Sequence, residues 1–364
     1  MNMSSPFEIS LAAPGDDDEL RALYAGSAAG GALSLVYKRE PSFFYALDMM
    51  GEKSQVLVGR REGRIIGMGC ITFFRAYVQG APQTIGYLHS LRVVPAFRKS
   101  LYLARGYQHL SRLSEDHGVP FYISTVIEDN RAVVRLFQKQ RSFMPRYQDR
   151  GRYITYVIPF LKKRKRNKRW EIQGVSGSAV LAGAVDWMQQ WGSSRELYPV
   201  FDTEVVRDSW MKSYGLQDIL VAHDRGRIVG TLGMWDQRSF KQTVVGGYHG
   251  RWRLIKPLYN MLAGMRGASP LPDENKAFKY LFASFPTAAN NDPGILRELL
   301  EELYERARAQ GYAYCVIGLH EQEPLSRALA DFFTLPYASR VYRVSPQEEP
   351  CCDVRAPYLE LARL

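Results

Sequence analysis

The stretch LRVVPAFRKSLYLA at residues 91–104 joins a strand-like apolar run to a helical pattern. Pro95 follows the apolar run, and Arg98 and Lys99 place two adjacent cations before the helix. A helix N-terminus offers unsatisfied N–H groups and a partial positive charge. Ser100 can cap this helix or donate to a phosphate oxygen. The stretch therefore predicts a site for a phosphate-bearing ligand; the alternative is a loop that merely caps a helix.

The length and composition indicate how many domains the chain can form, and the net charge indicates the class of partner. With 364 residues, of which 46% are hydrophobic and 12% aromatic, each half of the chain can bury its own core. The net charge of +11 favours an anionic partner, such as a phosphorylated cofactor, a nucleic acid or an acidic surface. Much of this charge lies in KKRKRNKR at 162–169. We expect a solvated linker there, with nucleic-acid binding as the alternative.

The cysteine pattern indicates whether the protein has a metal site, and the apolar runs indicate its location in the cell. The four cysteines form no CxxC pair and no Cys/His spacing typical of a metal site. We therefore expect no metal and a reducing compartment. The start, MNMSSPFEIS, lacks the basic and apolar regions of a signal peptide, and no apolar run approaches the roughly 20 residues that cross a bilayer. The sequence predicts a cytoplasmic protein without a membrane span.

Two segments repeat in the same order along the chain. QVLVGRREGRIIG (55–67) aligns without a gap with DILVAHDRGRIVG (218–230), and each predicts a β-hairpin. LSRLSEDHGVPFYIS (110–124) is similar to LYERARAQGYAYCVI (303–317), and each combines a helix end, a glycine C-cap and a strand. The two segments of the second pair are separated by more residues of sequence than the two segments of the first pair. This difference indicates an insertion in the second half, at about 246–275.

The repeats predict two tandem domains of one fold. We expect an N-terminal domain at 1–161, a linker at 162–169 and a C-terminal domain at 170–364 that carries the insertion. Each domain would be a mixed α/β fold with a mostly antiparallel sheet flanked by helices. The last predicted helix of the chain covers 324–333.

The element order and the first motif resemble the GNAT (GCN5-related N-acetyltransferase) superfamily, in two copies that cover nearly the whole chain. The family's first motif reads roughly V-x-P-x-x-Arg/Gln-x-x-Gly-x-Gly/Ala. Here Val93, Pro95 and Arg98 fall on its first three anchors, whereas Leu101 and Leu103 stand at the two glycine positions. Glycine allows close backbone approach, so its loss narrows the expected phosphate cradle.

The family's second motif, Asn-x-x-Ala-x-x-Leu-Tyr, is similar to NRAVVRLF on the next predicted helix. Asn130, Val133 and Leu136 fall on its first three anchors, and Phe137 stands at the tyrosine position. Phenylalanine cannot give a proton, so another group or water would have to protonate the leaving thiolate.

The resemblance implies that the first copy binds acetyl-CoA or another acyl-CoA as cosubstrate. In such enzymes the fourth and fifth strands separate, and the pantetheine arm pairs with the fourth strand. The residues implied to bind the cosubstrate are Leu91, Arg92, Val93, Arg98, Lys99, Ser100, Leu101, Tyr102 and Asn130.

The candidate catalytic residues lie on the fourth strand of the first copy. Members of the family often use a glutamate there as base, but TIGYLHSL (84–91) has no carboxylate. It offers Tyr87 and His89, which share one face of a strand. Histidine has a suitable ordinary pKa for a base, so we predict both residues as catalytic. The alternative is a histidine that simply packs in the sheet.

The second copy departs further from the family's pattern. ANNDPGILRELL (289–300) lacks the arginine anchor and places Asp292 where it would repel phosphate. We therefore expect a degenerate copy, for which CoA binding remains an open alternative. The insertion YHGRWRLIKPLYNML either lines an acceptor cleft or covers its own sheet.

Three functions remain open from the sequence. The first is an acyl-CoA-dependent N-acyltransferase, an N-acetyltransferase in the simplest case, that acts on an amine of a small molecule or peptide. The second is a Fem-type aminoacyl transferase, which also has two GNAT-like halves and takes aminoacyl-tRNA as donor. The third is a non-catalytic sensor that binds CoA.

Overall fold

The computed structural model of the protein describes residues 7–26, 33–97, 102–139, 141, 144–164, 169–201, 214–265, 268–345 and 355–364. In the first half, the strands are β1 (Glu8–Leu11), β2 (Leu33–Lys38), β3 (Lys53–Arg61), β4 (Arg64–Val78), β5 (Ala81–Val93), β6 (Tyr122–Ile127) and β7 (Arg146–Pro159). Its helices are α1 (Asp17–Ala25), α2 (Phe43–Asp48), α3 (Tyr102–His117) and α4 (Arg131–Gln138).

In the second half, the strands are β8 (Glu171–Gly174), β9 (Ile219–Asp224), β10 (Arg227–Trp235), β11 (Gln242–Tyr248), β12 (Tyr280–Ala288), β13 (Tyr314–His320) and β14 (Leu335–Ser345). Its helices are α5 (Ser178–Gly192), α6 (Trp252–Met265) and α7 (Pro293–Ala309). The predicted helix at 324–333 is wrong: Pro324–Leu329 form a 3-10 helix, and the next strand already begins at Leu335.

The two repeated segments form β-hairpins, as predicted. Residues Glu62 and Gly63 connect β3 to β4, and both have positive φ angles, of 52° and 76°. Arg225 and Gly226 connect β9 to β10 with φ angles of 49° and 78°. Two successive left-handed residues match the twist of the flanking strands, and glycine adopts this conformation at little cost. The shared Gly therefore specifies the same turn in both halves.

One continuous sheet runs through both halves of the chain. Its order is β1-β3-β4-β5-β6-β14-β7-β13-β12-β10-β9-β8. Within each half the neighbours are antiparallel except for one parallel pair, β5 with β6 and β12 with β13. The last strands are exchanged, because β14 lies between β6 and β7 while β7 pairs with β13. The predicted mixed α/β fold with a mostly antiparallel sheet and flanking helices is confirmed.

A second, two-stranded sheet also connects the halves. It pairs β2 with β11 in antiparallel register, with Lys38 opposite Gln242. Gln242 secures this end of the ladder, because its side chain accepts from the Glu40 N–H at 3.0 Å and donates to the Glu40 carbonyl at 2.9 Å. This small sheet brings residues that are distant in sequence to the α1–α2 side of the large sheet.

Helices cover both faces of the first half's sheet. On one face α1 and α2 bury an apolar cluster that includes Leu20, Tyr24 and Phe43. On the other face α3 and α4 contribute to a cluster that includes Tyr107 and Phe137. The candidate site lies where the sheet between these two layers opens.

Candidate active site

A cavity opens where β5 and β6 separate. The two strands pair only from Gly86↔Tyr122 to Leu88↔Ser124, and β6 then pairs with β14 on its far side. Beyond this point a cavity of about 500 Å³ lies beside the strands and reaches beneath α3. This volume is in the usual range for small-molecule sites. The separation of the two strands is the arrangement that the sequence resemblance implies.

A β-bulge distorts β5 at the cavity. Met68 pairs with Arg92 and Cys70 with His89, so two residues, Ser90 and Leu91, lie opposite one residue of β4. Ser90 has a φ of 54°, a left-handed conformation that a bulge accommodates. A bulge leaves a backbone group outside the regular ladder, where it can contact a ligand.

Glycines make room along the cavity floor and wall. Gly67 and Gly69 of β4 and Gly106 of α3 all line it. A Cβ atom at Gly106 would meet no atom within 4 Å, and one at Gly69 would only contact Leu91, at 3.7 Å. The space above these two positions is therefore open. This pair of positions was missed in the sequence, because the family motif places its glycines at Leu101 and Leu103.

The residues predicted to bind the cosubstrate divide into three groups. Those that line the cavity are Leu91, Arg92, Val93 and Asn130. Tyr102 is the first residue of α3. Those that lie outside the described residues are Arg98, Lys99, Ser100 and Leu101. The phosphate-binding part of the prediction therefore remains a prediction.

His89 lies inside the site with both ring nitrogens engaged. Nε2 is 3.0 Å from the Thr72 hydroxyl oxygen, and Nδ1 is 2.9 Å from the Ser90 hydroxyl oxygen. Burial, assisted by nearby cations, lowers the pKa of His89 to about 3. A ring with this pKa is neutral at pH 7 and is a weak acceptor of a full proton. His89 is therefore poorly suited to the predicted role of a base that takes up a full proton. It can still act as a neutral hydrogen-bonding group.

Tyr87 shares the face of His89, as the two-residue spacing predicts. The two rings stack with centroids 5.0 Å apart and an interplanar angle of 10°. The Tyr87 hydroxyl shares a hydrogen bond of 2.8 Å with the Thr125 hydroxyl. Burial raises the pKa of Tyr87 to about 12, so the phenol keeps its proton at neutral pH. Tyr87 does not line the cavity itself; it supports the ring of His89.

A different tyrosine stands beside the position where the family's tyrosine is missing. Phe137 lines the cavity, and its ring stacks on Tyr147 of β7 with centroids 3.8 Å apart. Tyr147 also lines the cavity, and its hydroxyl shares a hydrogen bond of 2.8 Å with that of Tyr107. Burial raises the pKa of Tyr147 well above its ordinary value. The phenol therefore keeps its proton at neutral pH, and it comes from a neighbouring strand rather than from α4.

The corresponding region of the second half is filled with side chains. The repeat places Leu232 at the position of Gly69 and Leu299 at that of Gly106. Both leucines are fully buried in one apolar cluster. A void of about 10 Å³ lies near Leu232. The glycines that leave space in the first half are thus replaced by large apolar side chains.

The second half also has a β-bulge, but its backbone is already bonded within the chain. Phe285 has a φ of 49°, and together with Pro286 it lies opposite Leu232. The Phe285 N–H donates to the Glu360 carboxylate at 2.7 Å. At the start of α7, Asp292 caps the helix by accepting from the Gly294 N–H at 2.8 Å. Both places that would bind a thioester or a phosphate thus have partners from the protein itself.

The described ranges show neither a metal site nor a membrane span. No cluster of three or more His, Cys, Asp or Glu side chains in them is arranged to hold a metal ion. No described helix is long and apolar enough to cross a membrane.

The region that forms this cavity matches a known protein family. The model of the acetyltransferase (GNAT) family matches residues 27–143. This segment is similar to GNAT acetyltransferase domains. The match includes β4, β5, β6 and α3, the elements that surround the cavity. Comparison with curated protein sequences gives no match.

Solved structures of similar fold cover almost the whole chain. A GCN5-related glucosamine N-acetyltransferase region of a fungal multi-domain GH3 β-N-acetylglucosaminidase has a TM-score of 0.63 at 11% identity, over 93% of this chain. The chain spans 38% of that protein. N-myristoyltransferase of Saccharomyces cerevisiae with bound myristoyl-CoA has a TM-score of 0.61 at 10% identity, over 96% of this chain and 85% of its own.

A GCN5-related N-acetyltransferase from Sphaerobacter thermophilus has a TM-score of 0.58 at 12% identity and covers 99% of both chains. At such identities the likeness shows the fold alone. The GNAT match, together with these folds, supports acyl-CoA-dependent N-acyl transfer as the general class of reaction.

Proposed function

We propose that the protein is an acyl-CoA-dependent N-acyltransferase whose first half binds the acyl-CoA and whose second half binds none. The observation that carries the proposal is the 500 Å³ cavity at the bulged, separated end of β5 within the matched GNAT domain. The filled positions Leu232 and Leu299 support a degenerate second half. The acceptor is an amine of a small molecule or peptide.

The residues present fit the pantetheine part of an acyl-CoA. The edge of β5 beyond Leu88 has no pairing with β6, so an extended amide-bearing arm can lie along it. Leu91, Arg92 and Val93 are at this edge and line the cavity. Acetyl-CoA is the simplest donor. A longer acyl chain also fits the apolar part of the cavity, which includes Leu57.

Three groups of the chain can assist acyl transfer. The bulge at Ser90 and Leu91 offers a backbone N–H that can polarise a carbonyl, the usual role of an oxyanion-binding donor. Tyr147 can donate a hydrogen bond to a leaving thiolate, in place of the missing tyrosine at Phe137, only if it releases the Tyr107 hydroxyl. His89 can accept a hydrogen bond from the incoming amine only if it releases one of its two hydroxyl partners.

The first test is titration calorimetry of the protein with acetyl-CoA, longer acyl-CoAs and CoA. We expect binding of an acyl-CoA to the wild type. The double variant Arg98→Ala/Lys99→Ala should bind about 2–4 kcal/mol more weakly, as expected for two charge-assisted phosphate contacts. Absence of binding by every acyl-CoA would contradict the proposal, and tight salt-dependent binding of tRNA would favour the Fem-type alternative.

A non-catalytic acyl-CoA-binding protein is the second candidate. It is favoured by one observation: both nitrogens of His89 are already hydrogen-bonded within the protein. Release of free CoA thiol in the presence of a panel of amines separates the two functions. An enzyme releases thiol with at least one amine, whereas a sensor binds acyl-CoA and releases none.

A further inference from the structure

Three cations converge beside His89 on the α1–α2 side of the sheet. We call Arg39, Arg92 and Lys241 the cation group. Arg39 directly follows β2 and Lys241 directly precedes β11, and these strands pair in a register that places Lys38 opposite Gln242. The two cations are therefore brought together at the same end of the ladder. Like charges at such close positions destabilise a sheet unless something compensates them.

Tyr24 joins the third cation to this pair. The guanidinium carbon of Arg39 lies 4.5 Å from the centroid of the Tyr24 ring, and that of Arg92 lies 5.2 Å from the same centroid. Arg39 is only 6% exposed, and it donates to the Tyr24 hydroxyl at 2.7 Å. Two guanidinium groups thus share one aromatic ring in a largely buried place.

Neither Arg39 nor Arg92 forms an ion pair with a described acidic side chain. Arg92 donates to the carbonyl of Leu91 at 3.0 Å. Lys241 donates at 2.8 Å to a main-chain oxygen of Leu364, the last residue of the sequence. The Nε atom of Arg92 is buried and has no partner among the described residues. Buried cations without a counter-charge are costly. The arrangement is therefore typical of a site that completes itself with an anionic ligand.

The nearest acidic residue in the sequence does not provide the missing charge. Glu40 follows Arg39, but its carboxylate pairs with Arg21 at 2.5 Å. Arg21 also pairs with Asp17 of α1 at 2.8 Å. This neighbouring charge network is complete without the cation group.

The cation group reaches the cavity through Arg92. Arg92 and His89 both line it. After burial, the field of the same three cations contributes to the lowered pKa of His89. Burial and Arg39 also lower the pKa of Lys241. An anion bound here would relieve the mutual repulsion of the cations.

We propose that the cation group binds an oxyanion of the acceptor, so that the acceptor is a small amine that also carries a carboxylate or a phosphate. The inference rests on the proposed N-acyl transfer and names the class of acceptor for that site. It also assigns a role to the second half, which contributes Lys241 to the acceptor site. The remaining positive field lowers the pKa of a bound amine, which favours the neutral, nucleophilic form.

Direct binding tests the cation group without any catalysis. The probes are inorganic phosphate and acetate, titrated into the wild-type chain, Lys241→Gln, Lys241→Arg and the control Lys279→Gln. Lys279 is a matched control because it also donates to a carbonyl, that of Gln310, and lies 4.9 Å from the centroid of the Tyr312 ring. We expect at least one anion to bind, and Lys241→Gln to weaken it roughly 10- to 100-fold.

In this binding test, Lys241→Arg and Lys279→Gln should bind the anion within a few-fold of the wild type. If neither anion binds the wild type, or if Lys241→Gln binds it as well as the wild type does, the inference is overturned. The better of the two anions tells whether the acceptor carries a phosphate or a carboxylate.

Turnover with matched amines tests the same inference in the reaction. The pairs are O-phosphoethanolamine with ethanolamine, and glycine with glycinamide, each with the acyl-CoA that binds best. We expect the charged member of one pair to have a KM at least tenfold below that of its neutral partner. Lys241→Gln should abolish this difference while acyl-CoA affinity is retained. Equal use of neutral and charged amines would overturn the inference but leave N-acyl transfer standing.

A different experimental result would contradict the proposed function itself. If no acyl-CoA binds the wild type, N-acyl transfer is wrong, while the phosphate and acetate titrations still test the cation group alone.

Discussion

The cavity in the first half can be narrowed by one substitution that the free protein should tolerate. Gly106 lies within α3 and lines the cavity, and a Cβ atom there would have no neighbour within 4 Å. Gly106→Leu adds four carbon atoms to this space and reproduces the residue found at the corresponding position of the second half, Leu299. The substituted chain should fold, because the new side chain enters open space.

Gly106→Leu should raise the stability of the free protein and lower its affinity for acyl-CoA. Leucine in place of glycine within a helix stabilises it by roughly 0.5–1 kcal/mol, so the melting temperature of Gly106→Leu should not fall. In the complex the leucine competes with the acyl-CoA for the same volume. An overpacked contact costs about 1–3 kcal/mol, which corresponds to about 5- to 150-fold weaker binding.

Titration calorimetry with acyl-CoA, alongside thermal unfolding, measures both quantities on one sample. Gly264→Leu is the matched control, because Gly264 lies in α6, outside the cavity, and a Cβ atom there also has no neighbour within 4 Å. The control should bind acyl-CoA like the wild type. Unchanged acyl-CoA affinity in Gly106→Leu would refute the assignment of this cavity to the cosubstrate.

Further predictions concern the leaving group, the pH dependence of stability and the strand pair. Tyr147→Phe should lower kcat roughly 100-fold and leave acyl-CoA affinity unchanged; an unchanged kcat in steady-state kinetics would exclude Tyr147 as the proton or hydrogen-bond donor. The pKa of His89 is lowered from 6.5 to about 3 on folding, so the unfolded chain takes the proton first and stability falls as the pH drops below 6.5. Between pH 7 and pH 5 this group should cost roughly 1–2 kcal/mol of unfolding free energy, and denaturant titrations of His89→Asn should show a correspondingly smaller loss. Gly86→Ala places a Cβ atom against the Tyr122 ring in the parallel β5–β6 pair, so it should destabilise the fold by roughly 1–3 kcal/mol; a wild-type midpoint in urea would contradict this packing.

The local elements of the fold were predictable from the sequence because their causes are local. The turns at Gly63 and Gly226 require left-handed residues, and the sequence supplies them in both halves. The N-terminus of α7 follows from Asp292 and Pro293, a capping residue and a proline at the first helical position. Such signals span only a few residues.

The pairing of distant strands could not be predicted in the same way. Nothing in the periodicity of β7 or β14 tells which strand lies beside them, because period-two patterns specify a face and not a partner. The exchange of these two strands depends on the packing of the whole sheet. The cation group was missed for the same reason, since Arg39 and Lys241 approach each other only through the pairing of β2 with β11.

The candidate catalytic residues show that a family motif does not predict which side chains lie close together in the structure. The family motif has a tyrosine where this sequence has Phe137. The structure places Tyr147 against that ring from a strand that begins eight residues after α4 ends. His89 was identified as a base from the ordinary pKa of histidine. The burial that lowers its pKa is a tertiary property that the sequence does not carry.

The most direct measurement of the central claim is native mass spectrometry of the intact chain with saturating acyl-CoA. The account predicts one acyl-CoA per chain, because the first half has an open cavity while Leu232, Leu299 and Glu360 fill the corresponding places of the second. At a limiting acyl-CoA concentration, Gly106→Leu should lower the occupancy of this single adduct, and Gly264→Leu should keep it at the wild-type level. Two adducts per chain would contradict the assignment of one site to the first half, and no adduct would contradict the proposed function.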